Sequence, residues 1–126
     1  NRKIVAVEQV LSAMSLIFVY GTLRKGGNHH HLLKRHRFVG SARSLDKFLI
    51  QHVSTLEEPE GYPIATPNAA GQALEGEVYE IDEETLKSLD KYEEYPILYD
   101  RRYFNFCLEN GSITKALVYC GHAENT

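Results

Sequence analysis

Hydrophobic and polar positions alternate in short blocks along most of this chain, and one block switches to a helical period. The run "SLIFVY", Ser15 to Tyr20, is continuously apolar and rich in β-formers, which predicts a buried strand. Gly21 ends it, and "GTLRKGGN" reads as a glycine-containing loop before a short helical or irregular stretch, "HHHLLKRH". "RFVGSARSL" and "KFLIQHVST" read as two strands with a turn near Leu45 to Lys47. "LEEPEGYP" is polar and punctuated by Pro59, Gly61 and Pro63, so it reads as a loop. "GQALEGEVYEI" alternates as a strand. "RYFNFCLE" and "ITKALVYC" flank Asn110-Gly111, a pair that favours a tight hairpin turn. The pattern predicts an α+β chain with a mainly β core of about six or seven strands, curled into a sheet or small mixed β-barrel, with one main helix.

That helix is predicted from "IDEETLKSLDKYEEYP". Asp82 suits its N-cap, Glu83 and Glu84 suit its positive start, and Pro96 ends it. Leu86, Leu89 and Glu93 fall at i, i+3 and i+7, so a carboxylate shares the inward stripe with two core-type leucines. Burial and the negative helix C-terminus both raise a carboxylate's pKa, which makes Glu93 a candidate general base near neutral pH. The alternative is that Glu93 rotates to the rim and is solvated; the spacing leaves both open.

The chain's 126 residues fit one domain. With 43% hydrophobic and 25% charged residues it is globular by composition rather than disordered. A formal charge of -3 with no basic block argues against a nucleic-acid partner. No apolar run reaches the ~20 residues needed to cross a bilayer, so no membrane partner is expected. Cys107 and Cys120 fit no CxxC pattern; a disulfide between neighbouring strands is open, but two free thiols in a reducing, cytoplasmic setting is the preferred reading. Glu8 and Gln9 interrupt what would be the apolar part of a signal peptide. Met14 reads instead as a candidate start, so residues 1–13 are expected to be an N-terminal extension or leader, dispensable for catalysis, with the domain spanning 14–126.

Three further features carry less weight. Gly21 lets the backbone turn sharply after a buried strand, so that successive N–H groups converge on an anion or carbonyl oxygen; a plain turn explains the sequence as well. His29, His30 and His31 cannot all face one ion from a regular element, and no metal-ligand spacing is present. No GxSxG elbow occurs and no serine has a recognisable nucleophile setting; Cys120 and His122 are spaced for one strand face, which leaves a thiol nucleophile there as a minor alternative.

Together the pieces resemble the gamma-glutamylcyclotransferase family, including its small avirulence-induced-gene-like members, from about Leu16 to Tyr119. The family's strand ending in Y-G-[ST]-L stands here as Tyr20, Gly21, Thr22 and Leu23, followed by Asn28-His29. "GYP" is Gly61 to Pro63, "GEVY" is Gly76 to Tyr79, "LDKYE" ends on Glu93, and Y-x-R is Tyr99 to Arg101. Each motif is short; their common order and spacing carry the resemblance. It is nearest to the members acting on gamma-glutamylamines. The resemblance implies a small mixed β-barrel and a cofactor-independent enzyme that closes an L-gamma-glutamyl amine or amino acid to 5-oxoproline and frees the amine. It implies Glu93 as the catalytic acid/base, and Tyr20, Gly21, Thr22, Leu23, Tyr62, Tyr99 and Arg101 as substrate-binding. Whether residues 20 to 23 serve the oxyanion or the α-carboxylate stays open, as do the leaving amine and the oligomeric state. The rival readings are a catalytically silent binding domain on the same scaffold, and an amidase or acyltransferase using Cys107, Cys120 or a serine.

Overall fold

The computed structural model describes residues 14–20, 30–33, 36–57, 59 and 61–122. Within them run β1 (Ser15–Val19), a 3-10 turn (His30–Leu32), β2 (His36–Val53), β3 (Tyr62–Pro67), β4 (Gln72–Ile81), α1 (Glu83–Tyr92), β5 (Asp100–Leu108) and β6 (Ile113–Cys120). The six strands form one sheet in the order β3-β2-β4-β1-β6-β5, and a further β2–β5 pairing closes five of them into a barrel with β3 outside the ring. Only β1–β6 is parallel; the other pairings are antiparallel.

β1 after Ser15 and β6 from Ala116 onward are apolar at successive positions because both of their faces are buried there. Phe18, Val118 and Cys120 point into the barrel with Phe48, Leu74, Val78, Phe104 and Phe106. There Phe18 stacks on Phe106 at 4.2 Å and Phe48 meets Phe104 edge-on at 4.9 Å. Ile17, Val19, Leu117 and Tyr119 point the other way, into a second cluster with Leu33, Ile81, Leu89 and Tyr99. Leu89, fully buried, is the residue that seats α1 on the barrel.

The segment read as two strands with a turn near Leu45 to Lys47 is a single strand, β2. Its register against β4 slips between Arg43 and Lys47 instead of turning back. The buried Ser44 explains why. Its hydroxyl accepts from Leu74 N–H (2.7 Å) and donates to the Asp46 carbonyl (2.6 Å), so the ladder bonds lost at the bulge are replaced by a side chain. The first half of β2 then serves the barrel and the second half carries β3. β3 lies partly where a loop was expected. Pro63 and Pro67 are tolerated because β3 pairs along the sheet with β2 alone.

The β5–β6 hairpin closes through Glu109, Asn110 and Gly111, with Gly111 at φ 87° and its N–H on the Leu108 carbonyl (2.8 Å). Cys107 and Cys120 are both free thiols. Residues 1–13, including the expected domain boundary, lie outside the described residues.

Candidate active site

α1 starts as its sequence requires: the Asp82 carboxylate accepts from Thr85 N–H at 2.8 Å, with Glu83 and Glu84 in the first turn. Its end is built differently from the proline stop that Pro96 predicts. Tyr95 N–H reaches back to the Asp90 carbonyl (2.9 Å) and Glu94 N–H to the Lys91 carbonyl (3.2 Å). This is the paired-bond helix terminator in which the residue after the cap adopts the left-handed region. Glycine usually holds that place; here Glu94 does, at φ 51°. The turn leaves Glu93 as the C-cap, half-buried, one step beyond the last helical residue.

Glu93 lies on the wall of a cavity of about 170 Å³. Phe18, Val19 and Tyr20 from the end of β1, Tyr62 and Pro63 from β3, and Leu98 and Tyr99 before β5 form its sides. Tyr119 of β6, Tyr92 and Glu94 beside Glu93, and Thr55 and Glu57 after β2 complete the described lining. The cavity opens where β1, β6 and α1 all finish, so the barrel fixes three of its walls.

Three of the tyrosine hydroxyls in this wall, those of Tyr20, Tyr99 and Tyr119, are bonded to the scaffold. Tyr20 donates to the Tyr119 carbonyl (2.7 Å) and accepts from Ala65 N–H (3.2 Å), joining β1, β6 and β3. Tyr99 donates to the Pro63 carbonyl (2.9 Å), and Tyr119 donates to Asp90 Oδ1 (2.6 Å). Burial pushes the Tyr20 hydroxyl far above the usual phenol range; the Ala65 N–H bond pulls the other way, and the Glu93 carboxylate adds to the rise. Burial and then the Glu93 charge raise Tyr99 similarly. Tyr119 is raised by burial and then by its bond to Asp90. Phenols so placed stay protonated at neutral pH.

Of the residues expected to form the site, Glu93, Tyr20, Tyr62 and Tyr99 are brought together on this cavity. Arg101 is not on its wall. The Arg101 Nη1 donates to both Asp90 oxygens (2.6 and 2.5 Å), and its guanidinium carbon lies 4.5 Å from the Tyr95 ring centroid. Burial works against its charge, but the Asp90 bond and charge outweigh it, so its pKa lies above the usual value. Gly21, Thr22 and Leu23 lie outside the described residues. Tyr119, Glu57 and Glu94 were not anticipated as lining residues, nor was Asp90 as Arg101's partner. One signal for Tyr119 was legible: equal counts back and forward from Asn110 place it opposite Arg101.

Neither thiol faces the cavity. Cys120 is fully buried and its pKa is pushed up to about 11, chiefly by that burial. Among the described residues, no group of three or more His, Cys, Asp or Glu is arranged to hold a metal ion. No described helix is long and apolar enough to cross a membrane.

A closed mixed barrel with one flanking helix, and a cavity where β1, β6 and that helix finish, defines the class of small mixed-barrel proteins to which this chain's fold belongs. The chain belongs to the gamma-glutamyl cyclotransferase, AIG2-like family, whose sequence model matches residues 17–126. It is 33% identical over 118 residues to the gamma-glutamylaminecyclotransferase A of Danio rerio, covering 87% of this chain and 71% of that protein. It is 39% identical over 83 residues to the gamma-L-glutamyl-butirosin B gamma-glutamyl cyclotransferase of Niallia circulans, covering 65% of this chain and 47% of that protein. The crystal structure of a mouse AIG2-like protein superposes with a TM-score of 0.75 at 27% identity, covering 89% of this chain and 80% of the other. This is an enzyme of the gamma-glutamylcyclotransferase type.

Proposed function

We propose that the chain converts an L-gamma-glutamyl amine to 5-oxoproline and the free amine, with Glu93 as the acid/base. The observation that carries this reading is the position of Glu93, a half-buried carboxylate on the wall of the cavity where α1 ends, beside Tyr20, Tyr62 and Tyr99. The substrate's α-nitrogen enters largely as an ammonium, since its ordinary pKa is near ~8. Glu93 takes a proton from it, and the freed lone pair attacks the side-chain γ-carbonyl. A carbon–nitrogen bond forms, the five-membered ring closes, and the tetrahedral oxyanion collapses by expelling the amide nitrogen. Two protons leave the α-nitrogen and two reach the departing nitrogen, so the reaction needs no water and no net acid or base. Proton transfer through a positioned carboxylate is typically worth ~10²–10⁴-fold. Because nucleophile and carbonyl share one molecule, holding the folded rotamer against the tyrosine walls supplies further acceleration.

An amine is favoured over an amino acid as leaving group because Glu57, Glu93 and Glu94 line the cavity and no lysine or arginine does among the described residues. A second carboxylate on the leaving group would meet like charges there. The name of the Danio rerio relative points the same way. The experiment is a panel of gamma-glutamyl amines, gamma-glutamyl amino acids and glutathione, each scored for 5-oxoproline before and after thiol alkylation. Release from the amines that survives alkylation is expected. Absence of 5-oxoproline from every substrate would leave the binding-domain reading, and loss on alkylation would point to a thiol route.

A further inference from the structure

Glu93 is held from both sides. Three residues before it, Asp90 accepts hydrogen bonds from Arg101 on β5 and from Tyr119 on β6. Two residues after it, the Tyr95 ring packs against the same Arg101 guanidinium. Arg101 and Tyr119 are themselves paired across the hairpin, so the two anchors belong to one rigid piece of barrel wall. Between the anchors sits Glu94 at φ 51°, a conformation that a residue with a side chain keeps only when its surroundings hold it. The ion pair is well shielded, with side chains 22% and 23% exposed.

We infer that Arg101 is a positioning residue: with Asp90, Tyr119 and Tyr95 it locks the end of α1 to the barrel so that the Glu93 carboxylate stays aimed into the cavity. This rests on Glu93 as the acid/base. Arg101 acts through Glu93 and does not bind the substrate's carboxylate. To reach a ligand it would have to leave both Asp90 oxygens and the Tyr95 face, stranding a part-buried carboxylate. A lock of this kind affects the rate more than the affinity, because a small displacement of a reacting group slows the chemical step while the rest of the cavity still binds.

The test is a cycle of Arg101→Met and Asp90→Asn, each alone and in a Glu93→Gln background, with kcat, KM and the 5-oxoproline dissociation constant measured for each. The single variants are expected to lose about 10²-fold in kcat, with KM and product affinity within about threefold of wild type. Added to Glu93→Gln, neither substitution should slow the residual turnover further. Arg101→Lys, which keeps the charge but not the fork, should recover part of the rate. The inference is overturned if Arg101→Met raises KM and the product dissociation constant tenfold or more while kcat holds, or if its loss persists in full alongside Glu93→Gln. Should residual turnover in that background be undetectable, product affinity decides. If Arg101→Met does not fold, the isosteric Asp90→Asn is judged on the same readouts. Native turnover by Glu93→Gln alone would overturn the acid/base reading, and this inference with it.

Discussion

Removing one oxygen atom from Tyr20 tests how the cavity floor is held. The Tyr20 hydroxyl serves two strands at once, donating to the Tyr119 carbonyl and accepting from Ala65 N–H. Ala65 is fully buried, and its carbonyl already accepts from Gly121 N–H at 2.8 Å, so this residue faces β1 and β6 rather than its sheet neighbour. Tyr20→Phe keeps the ring packing and strands the Ala65 N–H. An unsatisfied buried donor costs ~1–3 kcal/mol. For a chain of this size, 2 kcal/mol lowers the thermal midpoint by roughly 6–12 °C. Tyr99→Phe is the internal control: it too removes a buried hydroxyl, but one that only donates, to the Pro63 carbonyl, so a cost nearer ~0.5–1.5 kcal/mol is expected. The assay is reversible urea unfolding of both variants and the wild type. A Tyr20→Phe cost below ~0.5 kcal/mol, or a larger cost for Tyr99→Phe, would refute the two-strand clamp.

Ser44→Ala removes the hydroxyl that replaces ladder bonds at the β2 bulge; it should destabilise by ~1–3 kcal/mol in urea unfolding because Leu74 N–H loses its partner. Glu94→Gly should stabilise the fold by roughly 0.5–1 kcal/mol in urea unfolding, since relief of left-handed strain exceeds glycine's added chain entropy. Stability should also fall as pH rises above ~9. The folded pKa of Cys120, about 11, and those of Tyr20, Tyr99 and Tyr119 all lie above their unfolded values, so the unfolded chain releases protons first and gains. Urea midpoints between pH 8 and 11 should decline, with a shallower slope in Cys120→Ala; a rising midpoint would contradict the burial of these groups.

Local signals were legible where one residue decides the geometry. Asp82 starts α1, and Asn110-Gly111 closes the hairpin; the leucine spacing left the direction of Glu93 open, and the fold puts it on the cavity wall. The continuous apolar run of β1 identified a buried strand. What stayed hidden depends on groups far apart in sequence. The β2 bulge looks like a turn until Ser44 is seen to meet Leu74. β3 looks like a loop because prolines normally interrupt sheets, and only its place at the sheet's edge accommodates them. The helix ends through Glu94, and nothing about a glutamate announces a left-handed residue. Arg101 shows the same limit at the site: the motif marks it, but only the fold reveals Asp90 and Tyr95 as its neighbours.

The central claim is that one carboxylate on the cavity wall moves the protons. Its most direct measurement is 5-oxoproline release by Glu93→Gln on a gamma-glutamyl amine that the wild type turns over, with product binding measured in parallel. Glutamine keeps the shape and removes the base. The account predicts turnover at least ~10²-fold below wild type with 5-oxoproline still bound; near-native turnover would contradict it.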